Sequence, residues 1–112
     1  MLTVACGSEH AHTPPPKPAP PPLEFLGEWG TRGKGAGLLA EPSHLAADPY
    51  GNVFITDLGQ AVIQKFTADG HPLLSFGDPL LKSPWGIALD SGGGIYVMDA
   101  HRKSIFIFSP EG

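Results

Sequence analysis

The sequence predicts an all-β fold built from consecutive copies of one strand-and-turn module. Three observations lead there. First, the chain repeats with a period of 42 residues and needs no gap between 42–70 and 84–112. Pro42-Ser-His-Leu-Ala-Ala-Asp48 returns as Pro84-Trp-Gly-Ile-Ala-Leu-Asp90, and Asn52-Val-Phe-Ile-Thr-Asp57 as Gly94-Ile-Tyr-Val-Met-Asp99. Second, eight positions are identical in the two copies: Pro42/Pro84, Ala46/Ala88, Asp48/Asp90, Gly51/Gly93, Asp57/Asp99, Ile63/Ile105, Phe66/Phe108 and Gly70/Gly112. Third, each copy divides into short apolar runs separated by turn residues, without a helical period. A self-similar unit of roughly 40–50 residues made of short strands marks a propeller blade.

The elements follow in order. Residues 1–22 form a separate region, a signal remnant followed by a disordered tether. Pro14 to Pro22 holds seven prolines in nine residues. Such a segment favours polyproline II and would span roughly 28 Å as a semi-rigid spacer. The globular part is expected over 23–112. Leu23 to Trp29 reads as a strand, followed by a glycine-rich loop at 31–37. The first unit then has strands near 43–47, 52–56, 62–67 and 72–76. The second has strands near 85–89, 94–98 and 104–108. Asp48-Pro-Tyr-Gly-Asn52 carries strong turn chemistry: Asp to bond the backbone, Pro to fix φ, Gly-Asn to accept positive φ. Val53-Phe-Ile-Thr and Ile95-Tyr-Val-Met are continuous apolar runs, which suits a strand packed on both faces.

Net charge is −4, with 16 % charged and 41 % hydrophobic residues. There is no basic block of the kind that binds nucleic acid. No run approaches the roughly 18 apolar residues of a spanning helix. The single cysteine, Cys6, excludes an internal disulfide and a multi-cysteine zinc site. Two units fall short of the roughly four to eight blades that close a ring. The expectation is therefore a piece of a longer protein, or a piece completed by further blades from another chain. Uncovered blade flanks predict poor solubility or self-association.

The two copies resemble NHL repeats, which form six-bladed propellers in their best-known members. The family pattern runs through aromatic-Gly, Pro-x-Gly-Ile-Ala-Val-Asp, Gly-Asn-Val-Tyr-Val-Thr-Asp and Asn-His-Arg-Ile-Gln-Lys-Phe. Here Pro84-Trp-Gly-Ile-Ala-Leu-Asp90, Gly51-Asn-Val-Phe-Ile-Thr-Asp57 and Ile63-Gln-Lys-Phe66 correspond. The resemblance implies a partial β-propeller of about two four-stranded NHL-type blades over 23–112. Gln60-Ala-Val62 and Arg102-Lys-Ser104 depart from the family's Asn-His-Arg, so its ligand contacts from this turn are not carried over.

Candidate site residues fall into four groups. Leu2-Thr-Val-Ala-Cys-Gly-Ser8 resembles the end of a bacterial lipoprotein signal, with Cys6 as the lipidated residue. The implied location is extracytoplasmic, at a membrane through that anchor, with the true start upstream of Met1. Cys6, His10 and His12 lie in a segment without support for a metal site, and no cofactor is read from the sequence. Asp48, Asp57, Asp90 and Asp99 recur after strands and are expected to cap the following turns. Trp29, Phe66, Phe76 and Phe108 recur as packing aromatics.

Among the histidines, His44 enters the innermost strand near a propeller's channel, and His101 sits in a turn on the same face. They are the weak catalytic candidates; His71 is expected to be solvated. Finally, the connections before the first strand and between the second and third share one face. They carry Arg32, Lys34, Lys82, Arg102 and Lys103, five of the seven basic residues. Their acids are Glu41, Asp57, Asp78 and Asp99. Arg32, Lys34, Arg102 and Lys103 are the candidate binding residues for an acidic ligand. The glycine-rich loop lacks Gly-Lys-Ser/Thr and a following helix, so it is no phosphate loop.

The reading is a non-enzymatic binding scaffold for a protein, peptide or glycan, and not for nucleic acid. The alternative is a metal-dependent lyase or lactonase-like enzyme, by resemblance to the propeller lyases. Its site would be completed by blades beyond these two.

Overall fold

The computed structural model describes residues 14–20 and 22–112. Seven strands are present among them: β1 Pro42–Ala47, β2 Val53–Asp57, β3 Val62–Phe66, β4 Pro72–Phe76, β5 Pro84–Leu89, β6 Ile95–Asp99 and β7 Ser104–Phe108. They form two antiparallel sheets, β1-β2-β3-β4 and β5-β6-β7. The all-β reading and the two consecutive units are correct, and each expected strand from β1 to β7 lies within about two residues of its place.

The identities between the copies are explained by the backbone. Gly51 and Gly93 have φ of 87° and 89°, and Gly70 and Gly112 have φ of 95° and 107°. These turns need a left-handed residue that carries no Cβ penalty. The proline pair opens the inner strand of each unit, where a register shift follows: between Pro42 and His44 in β1, and between Pro84 and Ile87 in β5. A residue without an N–H is tolerated at that first position.

The core lies between the sheets. Phe54 and Ile63 of sheet one meet Ile95 and Val97 of sheet two, with Leu81 from the connector. Ile87, Leu89, Phe106, Phe108 and Phe76 close around them. Each fully buried Ile or Phe contributes about 1.5–3 kcal/mol. Polar bonds add register. The Ser43 hydroxyl lies 3.3 Å from the Pro84 carbonyl, and the Thr56 hydroxyl 2.9 Å from the Trp85 carbonyl.

The packing aromatics repeat as expected. The Trp29 ring lies tilted against Phe66 at 5.0 Å between centroids, and Phe76 meets Phe108 edge-to-face at 5.2 Å. Each also covers the glycine of the next turn, Trp29 over Gly70 and Phe76 over Gly112. Each unit is thus fastened to the residue that ends the preceding outer segment.

One expected element is absent. Residues 23–29 form no strand, and Leu23, Phe25 and Leu26 are exposed. A strand needs a neighbour for its amides, and no described strand lies beside this one. Trp29 alone is held, by its ring and by an indole N–H bond of 3.1 Å to the Ala68 carbonyl. Residues 14–20 are exposed and carry no regular structure.

Candidate functional site

The face carrying the basic residues is organised by two aspartates. Asp57 ends β2 and Asp99 ends β6, and both side chains are fully buried. Asp57 accepts N–H bonds from Ala40 at 2.8 Å and Glu41 at 3.0 Å in the connector ahead of β1. It also accepts from the Gln60 amide N–H at 3.2 Å and Nε2 at 2.9 Å. Asp99 repeats this with Lys82 at 2.6 Å, Ser83 at 3.2 Å, His101 at 3.0 Å and Arg102 at 2.9 Å. Each carboxylate therefore clasps two loops, where the sequence indicated one. Burial alone would raise both carboxyls. The amide donors outweigh it and hold them below the ordinary 3.8. They stay ionised at neutral pH, with their oxygens already occupied.

The longer connector of unit one is pinned by two glutamines. Gln60 Oε1 accepts from Gly35 N at 2.5 Å, and Gln64 Oε1 from Gly37 N at 2.7 Å. Both side-chain amides donate to the Leu38 carbonyl. The loop adds its own bonds, Gly33 N to Leu39 O at 3.0 Å and Leu39 N to Thr31 O at 2.9 Å. Unit two has a shorter connector. There Phe106 stands in place of Gln64, and Leu81 is buried instead. The sequence does not show that Gln60 and Gln64 hold this connector, because a half-buried or buried glutamine carries no local pattern for a partner more than 20 residues away.

Arg32, Lys34, Lys82, Arg102 and Lys103 are all exposed on these loops. None forms a salt bridge with another described residue. Of the four acids of this face, Asp57 and Asp99 are withdrawn into the clasps. Glu41 and Asp78 remain at the surface, so exposed charge on the face is mostly positive. Lys103 holds a left-handed φ of 56°, matched by 55° at its repeat mate Ala61.

His44 and His101 are exposed. The His44 ring lies 5.4 Å from that of Trp85, and His101 serves the Asp99 clasp through its amide. Among the described residues, no group of three or more His, Cys, Asp or Glu is placed to hold a metal. Cys6, His10 and His12 lie outside the described residues. His71 is exposed and within 3.2 Å of Asp69.

The opposite face behaves as its turn chemistry indicates. Asp48 Oδ1 accepts from Tyr50 and Asn52 amides at 2.9 Å each. Asp90 Oδ1 accepts from Gly92 at 2.9 Å and Gly94 at 2.7 Å. A cleft of about 310 Å³ lies between these turns. Lys65 lines it, with its ammonium 5.2 Å from the Phe54 ring centroid. The sequence reading placed no basic residue on this side, because Lys65 belongs to a strand and reaches the cleft by its length.

Residues 81–108 match the NHL repeat. The match begins at Leu81 in the connector and runs through β5, β6 and β7, the whole of sheet two. The NHL unit thus includes the Asp99 clasp, and sheet one repeats its register residue by residue. No curated protein matches the chain. The all-β fold of two antiparallel sheets, the second of which matches an NHL repeat, is consistent with a partial propeller.

Proposed function

We propose that the chain is a non-enzymatic binding scaffold whose loop face receives an acidic protein, peptide or glycan. One observation carries the reading: the clasps remove Asp57 and Asp99 from the surface while leaving Arg32, Lys34, Arg102 and Lys103 exposed on braced loops. Bracing matters because a positioned cation loses less entropy on binding than a free one. Screening limits such a face to short range at physiological salt. The resemblance of Leu2-Thr-Val-Ala-Cys-Gly-Ser8 to the end of a lipoprotein signal supports a location outside the cytoplasm, with a lipid tether at Cys6 and the proline-rich segment as spacer.

The test compares the wild type with a variant carrying Arg32→Glu, Lys34→Glu, Arg102→Glu and Lys103→Glu. Probes are a poly-glutamate peptide and a sulfated heparin fragment. Tenfold or greater weakening for either probe, with wild-type binding that falls as salt rises, supports the reading. Equal affinity of both proteins for both probes contradicts it. The anchor is checked separately by the mass of native protein, where a Cys6 without acyl groups removes the tether.

A further inference from the structure

The two turns that border the cleft of about 310 Å³ share a backbone and differ in their side chains. Asp48 and Asp90 each fold their own turn, and Gly51 and Gly93 supply its left-handed φ. Those residues are what such a turn requires. The positions between them differ: Pro49-Tyr50 in one turn, Ser91-Gly92 in the other. Tyr50 is 89 % exposed, so its ring does no packing work in the fold. Gly92, its repeat mate, leaves bare main chain. One wall of the cleft thus carries an aromatic ring. The other is open backbone that a ligand can approach closely.

The cleft also holds charge of both signs. Lys65 lines it from β3, and no carboxylate among the described residues lies within salt-bridge distance of its ammonium. The repeat mate of Lys65 is Ile107, so this ammonium belongs to the cleft and not to the repeating pattern. Asp48 Oδ2 accepts from Asn52 Nδ2 at 3.2 Å, and Asp90 Oδ2 from the Tyr96 hydroxyl at 3.0 Å. A carboxylate offers about four lone-pair sites, so each keeps acceptor capacity. An anionic ligand would meet two carboxylates, and a cationic one the ammonium; like charges brought together cost affinity. A neutral ligand rich in hydroxyls meets neither penalty, because each hydroxyl both donates and accepts.

We propose that this cleft binds a neutral sugar residue of a glycan, with the Tyr50 ring against its apolar C–H face and Lys65, Asp48 and Asp90 bonding its hydroxyls. A tyrosine ring offers a flat amphipathic surface at low entropic cost, since it has two χ angles. Bonds from hydroxyls to carboxylates, and from an ammonium to hydroxyls, are charge-assisted and strong for their kind. The volume of about 310 Å³ lies at the small end of the roughly 300–1,000 Å³ of ligand sites. The site lies on the face opposite Arg32 and Lys34 and takes an uncharged ligand. It therefore stands apart from the reading of the loop face as a receiver of acidic partners.

The test is an amide NMR titration of the isotope-labelled full chain with the methyl glycosides of glucose, galactose, mannose and N-acetylglucosamine. At least one is expected to cause saturable shifts at the amides of Tyr50, Asn52 and Gly92. Tyr50→Ala should weaken that glycoside about tenfold or more, and Lys65→Met by at least about threefold. Circular dichroism reports the retained fold. Should Lys65→Met fail to fold, Tyr50→Ala decides alone, since its ring is almost wholly exposed. Glucuronate, glucosamine and the zwitterion glycine test the charge argument, and each is expected to bind more weakly than the neutral glycoside. The proposal is overturned if no glycoside shifts these amides at up to tens of millimolar. It is equally overturned if Tyr50→Ala binds as tightly as the wild type, or if glycine or a charged sugar binds more tightly than every neutral glycoside.

Discussion

The Thr56 hydroxyl in β2 reaches the main-chain carbonyl of Trp85 in β5 at 2.9 Å, across the gap between the sheets. The same oxygen accepts the amide of His44 at 3.1 Å. One fully buried side chain therefore ties together β1, β2 and the next unit. Thr56→Val keeps the shape and removes the hydroxyl, as donor and as acceptor. It is expected to lower unfolding free energy by about 1–3 kcal/mol, because the Trp85 carbonyl loses its donor and the His44 amide its acceptor. Urea denaturation of the two proteins measures this; unchanged stability would remove the bond from the account.

The Asp57 and Asp99 clasps predict a pH dependence. Both folded carboxyls titrate below the ordinary 3.8. A lowered folded value makes the contribution complete above the ordinary value, and it is lost as pH falls through the folded value. Urea midpoints should change little on account of these groups from neutral pH to about 5, then drop below about 4. Asp99→Asn should flatten that drop. Asp57→Ala, which leaves the amides of Ala40 and Glu41 without their acceptor, should destabilise by about 3 kcal/mol.

Gly70 is the tightest position beneath an aromatic ring. A Cβ there would fall 2.6 Å from Trp29, and φ is 95°. Gly70→Ala should therefore destabilise by more than about 2 kcal/mol, combining backbone strain with overpacking. Trp29→Ala combined with Gly70→Ala should show strong non-additivity, since the clash is gone once the indole is removed. Thermal melts of the four proteins in this cycle provide the check.

Ala61 holds a left-handed φ of 55°. Ala61→Gly relieves the left-handed penalty and adds unfolded-state entropy, for a net gain of a few tenths to about 1 kcal/mol. A lower melting temperature would contradict the turn geometry assigned to 58–61.

Much of this molecule can be read in its residues, because the period of 42 exposes the positions that geometry demands. Asp48 and Asp90 announce their turns through proline, glycine and asparagine neighbours, and the structure places their carboxylates on the expected amides. Asp57 and Asp99 were legible only in part. The turn they cap is local, whereas the connector they also hold lies 16 or 17 residues away. Gln60 and Gln64 act over similar distances on a loop whose length differs between units, so no repeat marks them. The segment 23–29 has the composition of a strand, but pairing depends on a neighbour that its own residues do not encode. At the loop face, the sequence places the cations correctly on shared connections. It does not show which carboxylates have been taken out of the surface charge.

The stacking of consecutive units forms the core of the molecule. Methyl and aromatic nuclear Overhauser effects of the labelled chain test it most directly. The account predicts strong cross-peaks joining Phe54 or Ile63 to Ile95 or Val97. Cross-peaks that instead join Phe54 and Ile63 to Tyr96, Met98 and Ile105 would contradict it, since the sheets would then meet through equivalent faces.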